Sequence, residues 1–277
     1  MLLAILLFTA MDATAKGLVA RYPAPQVIWV RFAGQLVLVV LLLGPRLPAT
    51  LRTKFPLLHL LRSAFQFGAT ALFFLSLTRI GLAEATALTD INPVLITLGA
   101  ALFLGERLGL PRLLGVGMAM LGAMIIIRPG ADMFSLSALM PLGCAVCFAG
   151  NALLTRFIGP QETVWTSMIY ASAFGTIAAT LTLPGVLLPG VWVPVTRADL
   201  GLFAVVGLLG TGAQLAIIRA FSIAEAAVIA PFAYTGILFA TIWGIVLYGE
   251  YPDLWTLIGA AVIVAAGLYV WRQELGR

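Results

Sequence analysis

The chain has 277 residues, of which 62% are hydrophobic and only 10% are charged. Soluble domains contain about 45 to 50% apolar and about 25% charged residues, so this apolar excess cannot be buried in one globular core, and lipid must be the solvent. The net charge of +5 comes from lysines and arginines scattered at the ends of apolar runs, which excludes the clustered basic face of a nucleic-acid-binding protein.

Proline, glycine and charged residues divide the chain into ten apolar spans, each near the length of about 20 residues that crosses a bilayer. In chain order the spans cover residues 2–20, 26–44, 57–78, 83–104, 110–128, 134–156, 163–183, 199–219, 224–248 and 253–272. The connections between them are short, and none leaves room for a soluble domain. We therefore predict an all-α integral membrane protein with ten transmembrane helices.

Spans 4 and 9 follow one pattern. Each begins with Ala-Glu-Ala, contains one proline (Pro93 and Pro231) and closes on Gly-Glu. A weaker match pairs Asp12 of span 1 with Asn151 of span 6. Because each half then holds an odd number of spans, the halves enter the membrane from opposite sides. The sequence therefore predicts two inverted five-helix repeats, residues 1–130 and 131–277.

Lysine and arginine predict the orientation. Ten of them fall on the side of the N-terminus and five on the other side. Basic loops stay in the cytoplasm, so we expect a multi-pass protein of the inner (plasma) membrane with both termini cytoplasmic. The remaining arginine, Arg31, lies inside span 2 and is expected to face protein or a watery vestibule, because facing lipid at that depth costs several kcal/mol.

Spans 5 and 10 are rich in glycine and alanine, which allow helix backbones to approach closely. We expect these spans to hold the two halves, or two protomers, together. The protein is expected to work as a monomer, with a homodimer left open.

The motif Gly105-Glu106-Arg107, answered by Gly249-Glu250, is followed in each half by a glycine nine residues after the glutamate (Gly115, Gly259). With the two five-span halves, it resembles the EamA-type members of the drug/metabolite transporter superfamily, and more loosely their bacterial aromatic amino-acid exporters. The resemblance implies a substrate path between the halves, lined by helices 1, 3, 4, 6, 8 and 9. The chain lacks the paired basic residues of sugar-phosphate relatives, so a phosphorylated substrate is not expected.

Polar groups within apolar spans are the default candidates for such a path. In span 4, Thr86 and Asp90 share a helix face with Pro93, and Asn92 lies at its edge. Pro93 lacks an N–H and is expected to leave the carbonyl of Thr89 as an unpaired acceptor. A packing kink satisfied by threonine and asparagine side chains is the alternative.

Span 9 repeats this arrangement, because Pro231 is expected to free the carbonyl of Ala227, with Tyr234 close by on the helix. In span 4, burial favours the neutral form of a carboxyl group, so Asp90 is also the expected proton-coupling residue.

Five further polar or aromatic side chains complete the predicted site: Gln66, Thr70 and Phe74 in span 3, Asn151 in span 6 and Gln214 in span 8. Their amide and aromatic surface suits a neutral or zwitterionic solute with an apolar side chain. Interhelical hydrogen bonding is the alternative for the two glutamines.

The charged residues at the span ends are expected to form ion pairs. Asp12 is expected to pair with Lys16, one turn on. Glu250 is expected to be held by hydrogen bonds or by a basic residue such as Arg107 or Arg112. Only Asp12 and Asp90 are then expected to bring charge to the path, so a strongly anionic solute would find no cationic partner there.

The predicted function is a secondary transporter that exports small neutral or aromatic amino acids and related metabolites by alternating access. The outward direction comes from the family resemblance alone. A drug, cation or purine exporter and a passive channel-like protein remain alternatives. No catalytic motif, metal-ligand set, cofactor motif or ATP-binding loop is found, so neither an enzyme nor a primary pump is expected. The aromatic side chains expected to line the path are Phe67, Phe74, Phe148, Trp165, Tyr234 and Trp243.

Overall fold

The computed structural model describes residues 1–104, 110–127, 136–158, 161–182, 192–223 and 230–275, and in these ranges the regular elements are all helical. The α-helices are α1 (Leu2–Val19), α2 (Ala24–Leu43), α3 (Leu47–Thr50), α4 (Pro56–Ser76), α5 (Leu82–Thr89), α6 (Asn92–Leu104), α7 (Leu110–Ile127), α8 (Leu136–Ile158), α9 (Val164–Thr182), α10 (Arg197–Ile223), α11 (Thr235–Tyr248) and α12 (Leu254–Leu275). A 3-10 turn, Ala230–Tyr234, precedes α11.

Seven helices in the described ranges are long and apolar enough to cross a membrane by length and composition. They fall on predicted spans 1, 2, 3, 6, 7, 8 and 10. Two shorter apolar helices, Gly117–Ile126 and Phe232–Tyr248, fall on spans 5 and 9. Large side chains such as Leu41, Phe103 and Val246 are exposed on the outer surface, as expected for residues that face lipid. The chain is therefore an all-helical, multi-pass membrane protein.

The fourth predicted span, residues 83–104, is not one helix. α5 ends at Thr89 and α6 begins at Asn92, which leaves Asp90 and Ile91 between them. A helix rises about 1.5 Å per residue, so neither piece alone reaches across a hydrocarbon core of about 30 Å. Irregular backbone at membrane depth is tolerated only where protein buries it or where it lines a cavity.

The main helix packing joins the two halves of the chain. α1 packs on α10, α4 on α8, α2 on α9 and α7 on α12, while α11 packs on α1 and α5. Helices of the same half pack against one another less extensively than these pairs do. The buried core of the described structure therefore lies largely between the first and second halves of the sequence.

The contact between α7 and α12 depends on glycine. A Cβ atom on Gly259 would lie 2.6 Å from the carbonyl oxygen of Gly122, and one on Gly122 would lie 2.8 Å from the carbonyl oxygen of Gly259. The two backbones therefore touch directly. Spans 5 and 10 join the two halves within one chain, as their small residues predicted.

Candidate functional site

The break between α5 and α6 is held by Asn92. Its side-chain amide Nδ2 donates a hydrogen bond of 3.0 Å to the carbonyl oxygen of Thr89. The prediction that Pro93 leaves this carbonyl unpaired is therefore wrong. The physical reason is that a short amide side chain can fold back onto the backbone three residues earlier, which replaces the N–H that proline lacks.

Replacing Asn92 by alanine should leave the Thr89 carbonyl buried without a donor and destabilise the protein by about 1 to 3 kcal/mol. Thermal unfolding of the purified protein in detergent measures this. Asn92→Ser is the matched control, because a serine hydroxyl can donate to a carbonyl three residues earlier, as Ser76 donates to Phe73 in α4. Equal losses in the two variants would show that the hydrogen bond does not hold the break.

Asp90, the residue at the break, is buried with an unused acceptor. Its side chain is 8% exposed, and its Oδ2 has no hydrogen-bond partner in the described structure. A Cβ atom on Gly236, the second residue of α11, would lie 3.9 Å from this oxygen and 3.8 Å from the methyl group of Thr86. Asp90 and Thr86 therefore face the second half of the chain.

Tyr234, at the end of the 3-10 turn, is the second buried group with unused hydrogen-bonding capacity. Its hydroxyl has no partner among the described residues and lies against Gly267 of α12, where a Cβ atom would overlap it. Tyr234 packs in one buried cluster with Leu88 and Ile91, which are close to Asp90 in the chain. Pro231 lies in the same turn, whereas Ala227, whose carbonyl it was expected to free, lies outside the described residues. The fold thus brings Thr86, Asp90 and Tyr234 together.

The remaining predicted residues of span 3 are buried on α4. The Thr70 hydroxyl donates to the carbonyl of Gln66 at 3.1 Å, and in α5 the hydroxyl of Thr86 donates likewise to Leu82 at 2.9 Å. Phe74 belongs to an apolar cluster with Met11 and Cys144. The donors of both threonines are therefore used within their own helices, and only their acceptor capacity is left for a ligand.

Asn151 and Gln214 are both buried, in α8 and α10. The Asn151 amide donates to the backbone carbonyl of Arg62 in α4 at 3.1 Å. Arg62 in turn donates through Nε to Thr155 and through Nη1 to the carbonyl of Ser167. Asn151 therefore belongs to a polar network that links α4 to α8 and α9, and not to the group around Asp90.

Arg31 faces protein, one of the two surroundings expected for it. This residue is 2% exposed, its guanidinium lies 4.7 Å from the centre of the Phe32 ring, and its Nη1 has no partner in the described ranges. Asp12 interacts electrostatically with Arg31. The protein interior therefore holds a cationic group, whereas only Asp12 and Asp90 were expected to bring charge to the path. A signal was available, since Arg31 is the only basic residue inside span 2 and the only carboxylate inside span 1 is Asp12.

Lys16 joins the two halves at the end of the helices opposite the N-terminus. Its Nζ lies 2.8 Å from Oε1 of Glu250 and donates to the carbonyl of Ile80 at 2.9 Å. Glu250 also accepts a hydrogen bond of 3.2 Å from the backbone N–H of Leu82. The predicted pair of Lys16 with Asp12 is therefore wrong, because the chain brings Lys16 and Glu250 to one end of the bundle. Glu250 is held by a hydrogen bond and a basic residue, as expected, but the basic residue is Lys16; Arg107, one of the partners named for it, lies outside the described residues.

Comparison with known proteins gives the class of this helical membrane protein. The EamA-like transporter family matches residues 1–128 and, a second time, residues 135–272. The two matches span nearly the whole chain, and the chain belongs to this family. It is thus a membrane transporter and not an enzyme.

Several similar proteins are named transporters. The pseudopaline exporter of Pseudomonas aeruginosa is 30% identical over 279 residues, which cover 99% of this chain and 95% of that protein. A riboflavin transporter of Rhizobium johnstonii is 32% identical over 234 residues, 83% of this chain and 74% of that protein. An S-adenosylmethionine uptake transporter of Rickettsia conorii is 25% identical over 273 residues, 99% of this chain and 91% of that protein. A protein of known crystal structure, 21% identical, shares the fold with a TM-score of 0.66 and matches 99% of this chain and 96% of its own.

Proposed function

We propose that this protein is a secondary transporter that exports small neutral or aromatic amino acids and related metabolites by alternating access. The observation behind the proposal is the pair Asp90 and Tyr234. Both are buried with hydrogen-bonding capacity left over, Asp90 at the break between α5 and α6 and Tyr234 at the end of the 3-10 turn before α11. Buried polar groups without partners cost about 1 to 3 kcal/mol each, so a site that keeps two of them is explained by a ligand that pairs with them.

Aromatic side chains support an apolar, planar substrate. Phe67, Phe74, Phe148 and Trp243 belong to or pack against one cluster, which also contains Ala85 of α5, the helix that ends just before Asp90. Trp165 packs with a different cluster around α2 and α9, so it is not part of the proposed lining. The named relatives move different compounds, one as an exporter and one by uptake, so the choice of amino acids rests on the site and the outward direction on the family resemblance.

We further propose that the protein has ten transmembrane spans in two inverted repeats, residues 1–130 and 131–277. The double match to one family supports this division. The packing supports it as well. When each helix is exchanged for its equivalent in the other half, the contact of α1 with α10 becomes the contact of α8 with α4. The contacts of α2 with α9 and of α7 with α12 correspond to themselves under the same exchange.

Both termini are proposed to lie in the cytoplasm. The ten-to-five distribution of basic residues supports this orientation. The polar contacts also agree with the alternation of helix ends, since Lys16 meets Ile80 and Glu250 at one end and Thr53 meets Glu162 at the other. Cysteine labelling in intact cells tests it, and a tag at residue 277 that reacts from outside would refute it.

Uptake into liposomes tests the function. A transporter is expected to saturate with substrate and to show counterflow when a second substrate is loaded inside, whereas a pore does neither. The panel contains amino acids, nucleobases and organic cations, so a drug, cation or purine exporter would be recognised by the class of compound that it transports. The same liposomes, with and without a proton gradient, test the proposal that Asp90 couples transport to protons; a gradient effect that survives in Asp90→Asn would exclude that role.

A further inference from the structure

Asp90 and Tyr234 hold equivalent positions in the two halves of the chain. Each stands sixteen residues before the glutamate of its Gly-Glu pair, and each lies just before a helix begins, α6 at Asn92 and α11 at Thr235. Asp90 lies against Gly236, two residues after Tyr234. The fold therefore places one polar group from each half at a shared position between the halves.

The oxygen atoms left without hydrogen bonds at this position can act as acceptors. An ionised carboxylate accepts hydrogen bonds only, and a tyrosine hydroxyl can accept as well as donate. α5 ends one residue before Asp90, and the C-terminal end of a helix adds partial negative charge. Among the described residues, no basic side chain forms a salt bridge with Asp90.

We propose that Asp90 and Tyr234 bind the protonated amine of the transported molecule, so that the substrate is a cationic or zwitterionic amine. An ammonium group has three donors, enough to serve both a carboxylate and a hydroxyl, and its bond to the carboxylate is charge-assisted. A carboxylate or phosphate group at the same place would be repelled by Asp90. The inference rests on the proposed transport function and adds the chemical group that its substrate must have.

Two observations narrow the ligand further. Within the described ranges, no group of three or more His, Cys, Asp or Glu side chains could hold a metal ion, which makes an organic amine the better fit for Asp90. The aromatic cluster with Phe73, Phe74 and Trp243 includes Ala85 of α5, the helix that ends just before Asp90, and Cys144 of α8, on which α5 packs. The amine site is therefore adjacent to a surface that can accept a planar apolar group.

Binding of four probes to the purified, full-length protein in detergent tests the inference, with the ligand-induced rise in unfolding temperature as the readout. Tryptamine and tryptophan carry an amine, indole-3-propionate lacks it, and riboflavin is planar without a basic amine. The variants are Asp90→Asn and Tyr234→Phe. The control is Asp253→Asn, which removes a carboxylate from the N-terminus of α12, where Asp253 accepts from the Thr256 N–H and asparagine caps equally well.

We expect the two amines to stabilise the wild type and the Asp253→Asn control, and indole-3-propionate and riboflavin to leave both unchanged. Asp90→Asn should weaken amine binding at least about tenfold, because it removes a charge-assisted bond, and Tyr234→Phe about threefold. The unfolding temperature without ligand shows whether each variant is folded, and Tyr234→Phe serves if Asp90→Asn is not.

Three results would overturn the inference: amine binding that is unchanged in both site variants, stabilisation by indole-3-propionate or riboflavin alone, and stabilisation by neither amine. Each leaves the transporter proposal standing, because counterflow in liposomes measures it separately. Loss of counterflow for the whole panel, with amine binding at Asp90 intact, would instead refute transport and keep the site.

Discussion

Valine in place of Gly259 is expected to lower the free energy of unfolding by about 3 kcal/mol or more. The added side chain would meet the Gly122 carbonyl oxygen and Cγ1 of Ile126, and the carbonyl belongs to a helix backbone that cannot rotate away. α7 and α12 would have to separate, and these two helices join the halves of the chain. Thermal unfolding in detergent, followed by tryptophan fluorescence, measures the loss.

Gly117→Val is the matched control for this prediction. Gly117 lies in α7 as Gly122 does, but a Cβ atom there has no neighbour within 4 Å. Helix propensity alone favours a residue with a side chain over glycine by a few tenths of a kcal/mol, so this variant should be as stable as the wild type. If both valine variants unfold at the same temperature, the direct backbone contact does not hold the two halves together.

The Lys16–Glu250 ion pair joins the two halves at the end of the bundle opposite the N-terminus. Glu250→Gln and Lys16→Met should each destabilise this closed arrangement by about 2 kcal/mol, which lies between the values for exposed and for buried ion pairs. A ligand-free transporter exchanges between conformations, and about 2 kcal/mol changes such an equilibrium constant roughly 30-fold. Cys147, which is half-buried on α8, should then react faster with a water-soluble maleimide.

A double-mutant cycle separates the ion pair from other effects of these substitutions. The variant with both changes should react with maleimide no faster than the worse single variant, since the interaction can be lost only once. Asp253→Asn lies in the same loop as Glu250 and should label like the wild type. If labelling of Cys147 is equally slow in all variants, the Lys16–Glu250 pair does not control the opening of this end.

The apolar spans of this chain could be predicted because lipid imposes both length and composition. Seven spans reappear as helices long enough to cross a membrane. The glycines of spans 5 and 10 also indicated their own contact, since only small residues permit it. Irregular backbone within a span is harder to predict. Pro93 indicated a kink in span 4, but the hydrogen bond from Asn92 that closes the break at Asp90 depends on a side-chain rotamer.

Partners that are distant in the sequence could not be predicted in the same way. Lys16 was assigned to Asp12, four residues earlier, because helical spacing indicates only local neighbours. Its actual partner, Glu250, comes from the other half, and the arrangement of helix ends that joins them follows from the packing of α1 on α11. The interaction of Arg31 with Asp12 was missed for the same reason, since it joins two different helices.

The N-terminus of α5 is capped by a residue from the other half of the chain. Gly81 has no side chain to accept from the first N–H groups, and Glu250 accepts from Leu82 instead. When this end of the bundle opens, the first turn of α5 loses its cap and a favourable negative charge together. Opening and fraying of α5 should therefore be one event. Amide hydrogen exchange at residues 82–85 would then report the conformational cycle directly, faster in the open state, with no label attached to the protein.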